Sequence, residues 1–153
     1  MGPLNKPILL VEDREDDILF FKSALRHAHL DNPIYMAQSG QDALDYLHGK
    51  GKFPRLRFPF PSIMMLDLRL PDIFGFDVLQ RARLFFERQM LLIVILTAAD
   101  DLSTIRRAYE LGADCYLVKP PRPEDLLNLA KGFRWHWGTT AEMEREVPAA
   151  KVV

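Results

Sequence analysis

Four apolar runs, three of them unbroken and each closed by a polar group, constrain this chain more than any other feature. Ile8-Leu9-Leu10-Val11 runs into Glu12 and Asp13, and Ile63-Met64-Met65-Leu66 into Asp67. Leu91-Leu92-Ile93-Val94-Ile95-Leu96 runs into Thr97, and the stretch from Ala113 to Val118 into Lys119. A strand with one wet face alternates apolar and polar residues, whereas a continuous run suits a strand covered on both faces, as in a parallel sheet. If the runs are parallel strands, distant pieces of sequence deliver three acids, a hydroxyl and an ammonium to one sheet edge. That edge is where ligands bind in open α/β sheets.

The segments between the runs have helical spacing. From Arg14 to His29 the apolar positions Ile18, Phe21, Leu25 and Ala28 share a face, with Asp16 and Asp17 in the first turn, where the helix dipole favours acids. Pro33 is expected to end that helix and lead into the strand Ile34-Tyr35-Met36-Ala37. Ser39-Gly40-Gln41-Asp42 opens a second helix through Ala43, Leu44 and Leu47 that stops near Gly49. A long loop from Gly49 to Pro61 follows, with three prolines and two glycines. Its two Lys and two Arg alternate with three Phe, and the favoured reading is a solvated loop whose Phe53, Phe58 and Phe60 tuck against the domain. The turn-rich bridge Leu68 to Gly75 leads into a third helix bearing Phe76, Val78, Leu79, Ala82 and Phe86. Asp101 to Leu111 reads as a fourth helix closed by Gly112, and Pro123-Glu124-Asp125 starts a fifth. On that last helix Leu126, Leu129, Ala130, Phe133 and Trp137 share one face as core, while Trp135 points elsewhere. Five strands alternating with five helices predict a single α/β, doubly wound parallel sheet with right-handed crossovers.

With 153 residues, one cysteine and a net charge of -1, the chain suits one domain without disulfides and lacks the basic footprint of a nucleic-acid binder. No apolar stretch approaches the roughly 20 residues needed to cross a bilayer, and Met1 to Lys6 lacks the apolar core of a secretory signal. A cytoplasmic protein that binds neither nucleic acid nor membrane is expected. Residues 1–140 are assigned to one domain and 141–153 to a C-terminal tail, too short for an output domain of its own.

The strand-end residues suit phosphoryl chemistry. Close carboxylates repel one another unless a cation intervenes, and hard oxygen ligands of this kind suit Mg²⁺. Asp67 stands alone at its strand end and is the candidate nucleophile, while Glu12 and Asp13 would hold the metal. Attack by a carboxylate on a phosphoryl donor gives an aspartyl phosphate. Lys119 and Thr97 would then neutralise or hydrogen-bond its oxygens.

At these residues the chain resembles the receiver domain of two-component response regulators. The resemblance is carried by Leu10-Val11-Glu12-Asp13, Met65-Leu66-Asp67-Leu68, Pro71 and Gly75, Thr97-Ala98, and Lys119-Pro120, and it runs from about Ile8 to Trp137. It implies a flavodoxin-like fold of strand order 2-1-3-4-5, with Asp67 as phosphoacceptor. It also implies Mg²⁺ held by Asp13, Asp67 and the backbone carbonyl of Arg69, with Glu12 acting mostly through water. Thr97 and Tyr116 would be the switch pair, Ala98 would leave the site open, and Lys119-Pro120 would be a cis bond. The partner implied is a histidine kinase, and the protein would be a phosphoacceptor switch that catalyses only its own phosphorylation and dephosphorylation. Within the family, Asp17 and the long loop before the phosphoacceptor strand are similar to small single-domain regulators associated with phytochrome-type kinases. That narrower similarity implies a homodimer through the fourth helix, fifth strand, fifth helix and tail. Arg106, Tyr109, Trp135 and Trp137 are the interface candidates; a large aromatic off the core face, as at Trp135, suits a binding surface, with cover by the C-terminal tail as the competing reading.

Arg69 departs from the commonest receiver pattern and is expected to reach an acid or the phosphoryl group. Two other function classes compete with the switch. One is a phosphorylation-independent receiver-fold binding module, against which the intact site argues. The other is a haloacid-dehalogenase-like phosphotransferase, which normally needs a second acid two residues beyond the nucleophile, where this chain has Arg69. His27, His29, His48 and His136 lack metal-type spacing and read as surface residues, and Cys115 reads as a small buried hydrophobe.

Overall fold

Residues 5–98 and 101–138 are described in the structure, a computed structural model. The strands β1 (Ile8–Val11), β2 (Ile34–Ala37), β3 (Ile63–Asp67), β4 (Leu92–Thr97) and β5 (Cys115–Val118) form one parallel sheet in the order β2-β1-β3-β4-β5. Helices α1 (Glu15–His27), α2 (Gly40–His48), α3 (Gly75–Phe85), α4 (Leu102–Glu110) and α5 (Pro123–Gly132) alternate with the strands, and a further turn, α6 (Arg134–Trp137), follows. The doubly wound α/β fold expected from the sequence is present, with the expected strand order. The proposed tail, 141–153, lies outside the described residues.

The pleat divides each run between two apolar layers. Leu9, Val11, Met64, Leu66, Ile93 and Ile95 pack with Leu44 and Leu47 of α2 and with Val78, Leu79 and Ala82 of α3. Ile8, Leu10, Ile63, Met65, Leu92, Val94 and Leu96 pack with Ile18, Phe21 and Leu25 of α1 and with Leu126, Leu129 and Ala130 of α5. Covering both faces is why the central runs contain no polar residue, and each such side chain stabilises the fold by about 1.5–3 kcal/mol. The edge strands β2 and β5 are only partly covered, so Cys115 is half-buried where full burial is expected from its type.

α1 ends earlier than Pro33, which is a correction. His29 adopts a left-handed φ of 59°, the N–H of His29 donates to the Arg26 carbonyl, and that of Leu30 donates to the Leu25 carbonyl. This pattern closes a helix without proline, and it buries Leu30 beside Leu25. In the long loop, Phe53 is buried and its ring lies 5.2 Å from that of Tyr46, whose hydroxyl donates to the Pro59 carbonyl at 3.0 Å. Arg55 turns inward and donates to the Leu47 carbonyl at 2.8 Å. The inward-folded reading of this loop holds.

The last helix is not continuous. It breaks at Phe133 (φ -126°, ψ 54°) before the short turn α6. Trp137 is 1% exposed, and its carbonyl accepts hydrogen bonds from the Lys6 N–H and from Asn32 Nδ2. It is therefore withdrawn as an interface candidate, because its indole sits in the apolar layer beneath α1 and α5. Trp135 is 73% exposed, with the Lys6 ammonium 4.0 Å from its ring.

Candidate functional site

The sheet ladders continue into the site. The Glu12 N–H donates to the Ala37 carbonyl at 3.0 Å, and the Lys119 N–H donates to the Thr97 carbonyl at 2.7 Å, so both residues are placed by strand pairing rather than by free loops. Asp67 is the last residue of β3 and pairs in register with Leu96. The chain turns beyond it, and the Gly75 N–H returns to the Leu68 carbonyl at 2.9 Å. A Cβ on Gly75 would lie 2.6 Å from Leu68 Cα and 2.8 Å from the Asp67 carbonyl oxygen. Only glycine lets α3 start this close to the strand end that carries Asp67.

Two acids are held in the same way. The Arg14 N–H donates to Glu12 Oε2 at 3.3 Å, and the Arg69 N–H donates to Asp67 Oδ1 at 3.1 Å, each from two residues downstream. The remaining carboxylate oxygens converge on Lys119, whose Nζ donates to Glu12 Oε1 at 3.1 Å, Asp67 Oδ2 at 3.0 Å and Asp17 Oδ2 at 2.9 Å. Glu12, Asp67 and Thr97 are buried, whereas Asp13 and Ala98 are exposed at the rim. An open cavity of about 790 Å³ is lined by Asp13, Asp17, Asp67, Arg69, Thr97, Ala98 and Lys119, among others.

Acids outnumber the cations that hold them: Glu12, Asp17 and Asp67 share the Lys119 ammonium, the exposed Arg14 lies 3.6 Å from Asp17, and Asp13 stands at the rim. Burial first, and the neighbouring Asp67 second, push the Glu12 carboxyl up to about 7 despite its bond to Lys119. Burial alone would lower the Lys119 ammonium, but its hydrogen bonds to Asp17, Asp67 and Glu12 outweigh this and hold it above its ordinary value. One oxygen from each of Glu12, Asp13 and Asp67 lies within 4.8 Å of the others. Three converging hard oxygen donors with negative charge in excess are a donor set that fits a divalent cation.

The sequence-selected residues are thus largely brought together. Lys119-Pro120 is a cis bond, as the resemblance implies. Tyr116 is half-buried, its ring 6.4 Å from that of Tyr109 on α4. The Arg69 side chain is exposed, and among the described residues no ion pair joins it to an acid. Two acids did more than expected. Asp17, noted as a subfamily marker, bonds Lys119, and its position in the first turn after an acidic strand end was the available signal. Asp72, in the β3–α3 bridge, accepts from the N–H groups of Gly40 and Gln41 at 2.7 and 2.9 Å and so caps α2 from outside. Nothing in the sequence pairs those two segments.

Similarity to known proteins agrees with the geometry. Residues 8–131 match the family described as the response regulator receiver domain. Response regulator Rcp1 of Synechocystis sp. is 28% identical over 138 residues, 90% of this chain and 92% of Rcp1. Its Mn(2+)-bound structure superposes with a TM-score of 0.67 at 28% identity, covering 89% of this chain and 96% of that one. The bacteriophytochrome response regulator RtBRR superposes with a TM-score of 0.76 at 33% identity over 94% of this chain and 91% of its own. The phosphorylated cyanobacterial phytochrome response regulator RcpA gives 0.68 at 26% identity over 88% and 94%.

Proposed function

The chain belongs to the response regulator receiver family, and on that premise we propose that Asp67 is its phosphoacceptor in signalling from a phytochrome-type histidine kinase. The observation that carries this reading is the convergence of Glu12, Asp13 and Asp67 at the carboxyl edge, with Lys119 bonded to Asp67. An Asp67 oxygen attacks the phosphorus of a phosphohistidine, the P–N bond breaks, and the ring nitrogen keeps the electron pair. Lys119 donates N–H bonds to the growing negative charge, and the buried Thr97 lines the same cavity.

Mg²⁺ is the cation we propose, held by Glu12, Asp13, Asp67 and the Arg69 carbonyl. When bound it would place positive charge against the phosphoryl oxygens. Mn²⁺ on Rcp1 and phosphate on RcpA support this reading by similarity. Residues 1–140 act as the receiver unit, with Thr97 and Tyr116 as the switch pair and Ala98 at the open rim. No described helix is long and apolar enough to cross a membrane, and the cytoplasm, where a kinase partner can reach Asp67, is the proposed location. The output is protein contact rather than DNA binding, through a homodimer using α4, β5 and α5. Arg106 and Tyr109 lie exposed on α4, and Trp135 lies exposed on α6.

The test is direct. The protein is incubated with Mg²⁺ and acetyl phosphate and then weighed by mass spectrometry beside Asp67→Asn. A gain of one phosphoryl group that disappears in the variant is expected, and equal masses in both would defeat the reading. For the dimer, Tyr109→Ala and Trp135→Ala are expected to lower the solution mass, and an unchanged mass counts against that face.

A further inference from the structure

Lys119 has no N–H bond to spare. An ammonium offers three donors, and all three are already engaged, by Glu12, Asp67 and Asp17. An incoming phosphoryl group brings new oxygens that require donors, so one existing bond must yield. Glu12 and Asp67 belong to the set of three carboxylates within 4.8 Å of one another, and Asp17 does not. Glu12 and Asp67 would share their charge with a cation held by that set, which leaves Asp17 as the carboxylate that competes for Lys119.

Asp17 is also well placed to compete. Its bond to Lys119 is 2.9 Å long, its side chain is 21% exposed, and it lines the same cavity as Asp67. Its other cationic neighbour is Arg14, 3.6 Å away on a side chain 70% exposed, which holds it weakly. The bland alternative is an acid that merely favours the N-terminal turn of α1. Glu15 and Asp16 do that from exposed positions without reaching Lys119, so the two roles are separable on adjacent residues.

Building on the phosphoacceptor reading, we infer that Asp17 is a positioning residue. Its carboxylate occupies a Lys119 N–H that an incoming phosphoryl group would need, while Lys119 stays bonded to Asp67, and so it limits both phosphodonor binding and the lifetime of the phosphorylated state. Asp17 acts through Lys119 and not on phosphorus itself.

The experiment uses the full chain with Mg²⁺ and acetyl phosphate, comparing wild type, Asp17→Asn, Asp17→Ser, Asp17→Glu and Asp16→Asn. Removing one carboxylate a few ångströms from an anionic donor should lower KM about threefold to tenfold in the Asn and Ser variants, with kcat moving less. Their phosphorylated lifetime should lengthen, Asp17→Glu should stay near wild type, and Asp16→Asn should move neither quantity. A second readout needs neither metal nor phosphate. Acylation of Lys119 by acetic anhydride in metal-free protein, followed by peptide mass, should be faster in Asp17→Asn than in wild type. Unchanged KM and unchanged Lys119 acylation in both the Asn and Ser variants would overturn the inference, and so would an Asp16→Asn effect equal to that of Asp17→Asn. Wild type that gains no phosphoryl mass sinks the phosphoacceptor reading, and this inference with it. Phosphorylated wild type with unmoved variants sinks the inference alone.

Discussion

Charged clusters sit at both edges of the sheet, and they are built on opposite principles. At the amino edge, Arg83 of α3 donates to the carbonyls of Gly112 (2.8 Å), Phe86 (3.1 Å) and Leu91 (2.8 Å), and to Asp114 Oδ2 at 2.6 Å. Asp114 also accepts the Ile93 N–H at 2.8 Å and pairs with Arg88. Asp114 Oδ1 takes no hydrogen bond beyond that ion pair, but every other acceptor named there has its donor, and the ends of α3, β4 and β5 are tied by fixed bonds. At the carboxyl edge, one ammonium serves three carboxylates, and a fourth, Asp13, stands beside them. A satisfied cluster is a strut, whereas a cluster short of positive charge is a site that awaits a cation and a phosphoryl group.

Opposite responses to neutral substitutions provide the strongest test of that contrast. Arg83→Ala takes one of two cationic partners from the Asp114 carboxylate, 2% exposed, and the side-chain donor from three carbonyls, and is expected to cost about 3 kcal/mol in urea unfolding. Asp67→Asn removes one of the repelling acids and is expected to leave stability unchanged or raised while abolishing phosphoryl uptake. If Asp67→Asn destabilised the fold as much as Arg83→Ala, the carboxyl-edge cluster would be another strut.

The second test uses pH. Folding raises the Glu12 carboxyl from 4.5 to about 7, through burial first and Asp67 second. An acid raised by folding contributes stability that is fully present below its unfolded value and lost as pH rises through its folded value. Metal-free protein should therefore lose stability relative to Glu12→Gln between about pH 4.5 and 7, by on the order of 2 kcal/mol. Saturating Mg²⁺ should flatten the difference, because a ligand that binds only the folded state stabilises it. A parallel pH profile for wild type and Glu12→Gln would mean that the site carries no charge deficit.

The two edges were not equally legible in the sequence. The carboxyl edge could be read because strand periodicity alone carries Glu12, Asp67, Thr97 and Lys119 to one line, where the backbone holds them. The amino-edge strut could not, because Arg83 reaches it from a helix face along a flexible arm, and no spacing rule reports where such an arm ends. Asp17 was missed as a Lys119 partner although its place in the first turn after an acidic strand end was a signal, because the bond is closed by the long Lys119 arm. Helical spacing put Trp137 on the core face and Trp135 off it, as the structure has them, although both were also counted as interface candidates. The break at Phe133 buries Trp137 and leaves Trp135 exposed, and that break follows from where α6 docks on Lys6, Asn32 and Ser62. The end of α1 was misplaced because a histidine took the left-handed position usually signalled by glycine.

Asp72 separates the two explanations that remain for the contrast, location on the sheet and the availability of donors. It lies in the bridge that follows Asp67, on the site's side of the molecule, yet it is satisfied in the manner of Asp114. The N–H groups of Gly40, Gln41 and Ile73 all donate to it. Residual burial acts to raise its carboxyl, but those backbone N–H groups outweigh it and hold the group below its ordinary 3.8. An acid lowered by folding contributes stability above its unfolded value and loses it as pH falls through the folded value. Asp72→Ala should therefore cost about 1 kcal/mol at pH 7, the size of a lost helix cap, and the gap from wild type should close as the pH falls below about 4. Phosphoryl uptake by Asp67 should be unaffected, because Asp72 neither touches Lys119 nor joins the cation set. An equal gap at pH 3 and pH 7 would show that the contact does not act through charge. Loss of phosphoryl uptake would make location, rather than a shortage of donors, what distinguishes the carboxyl edge.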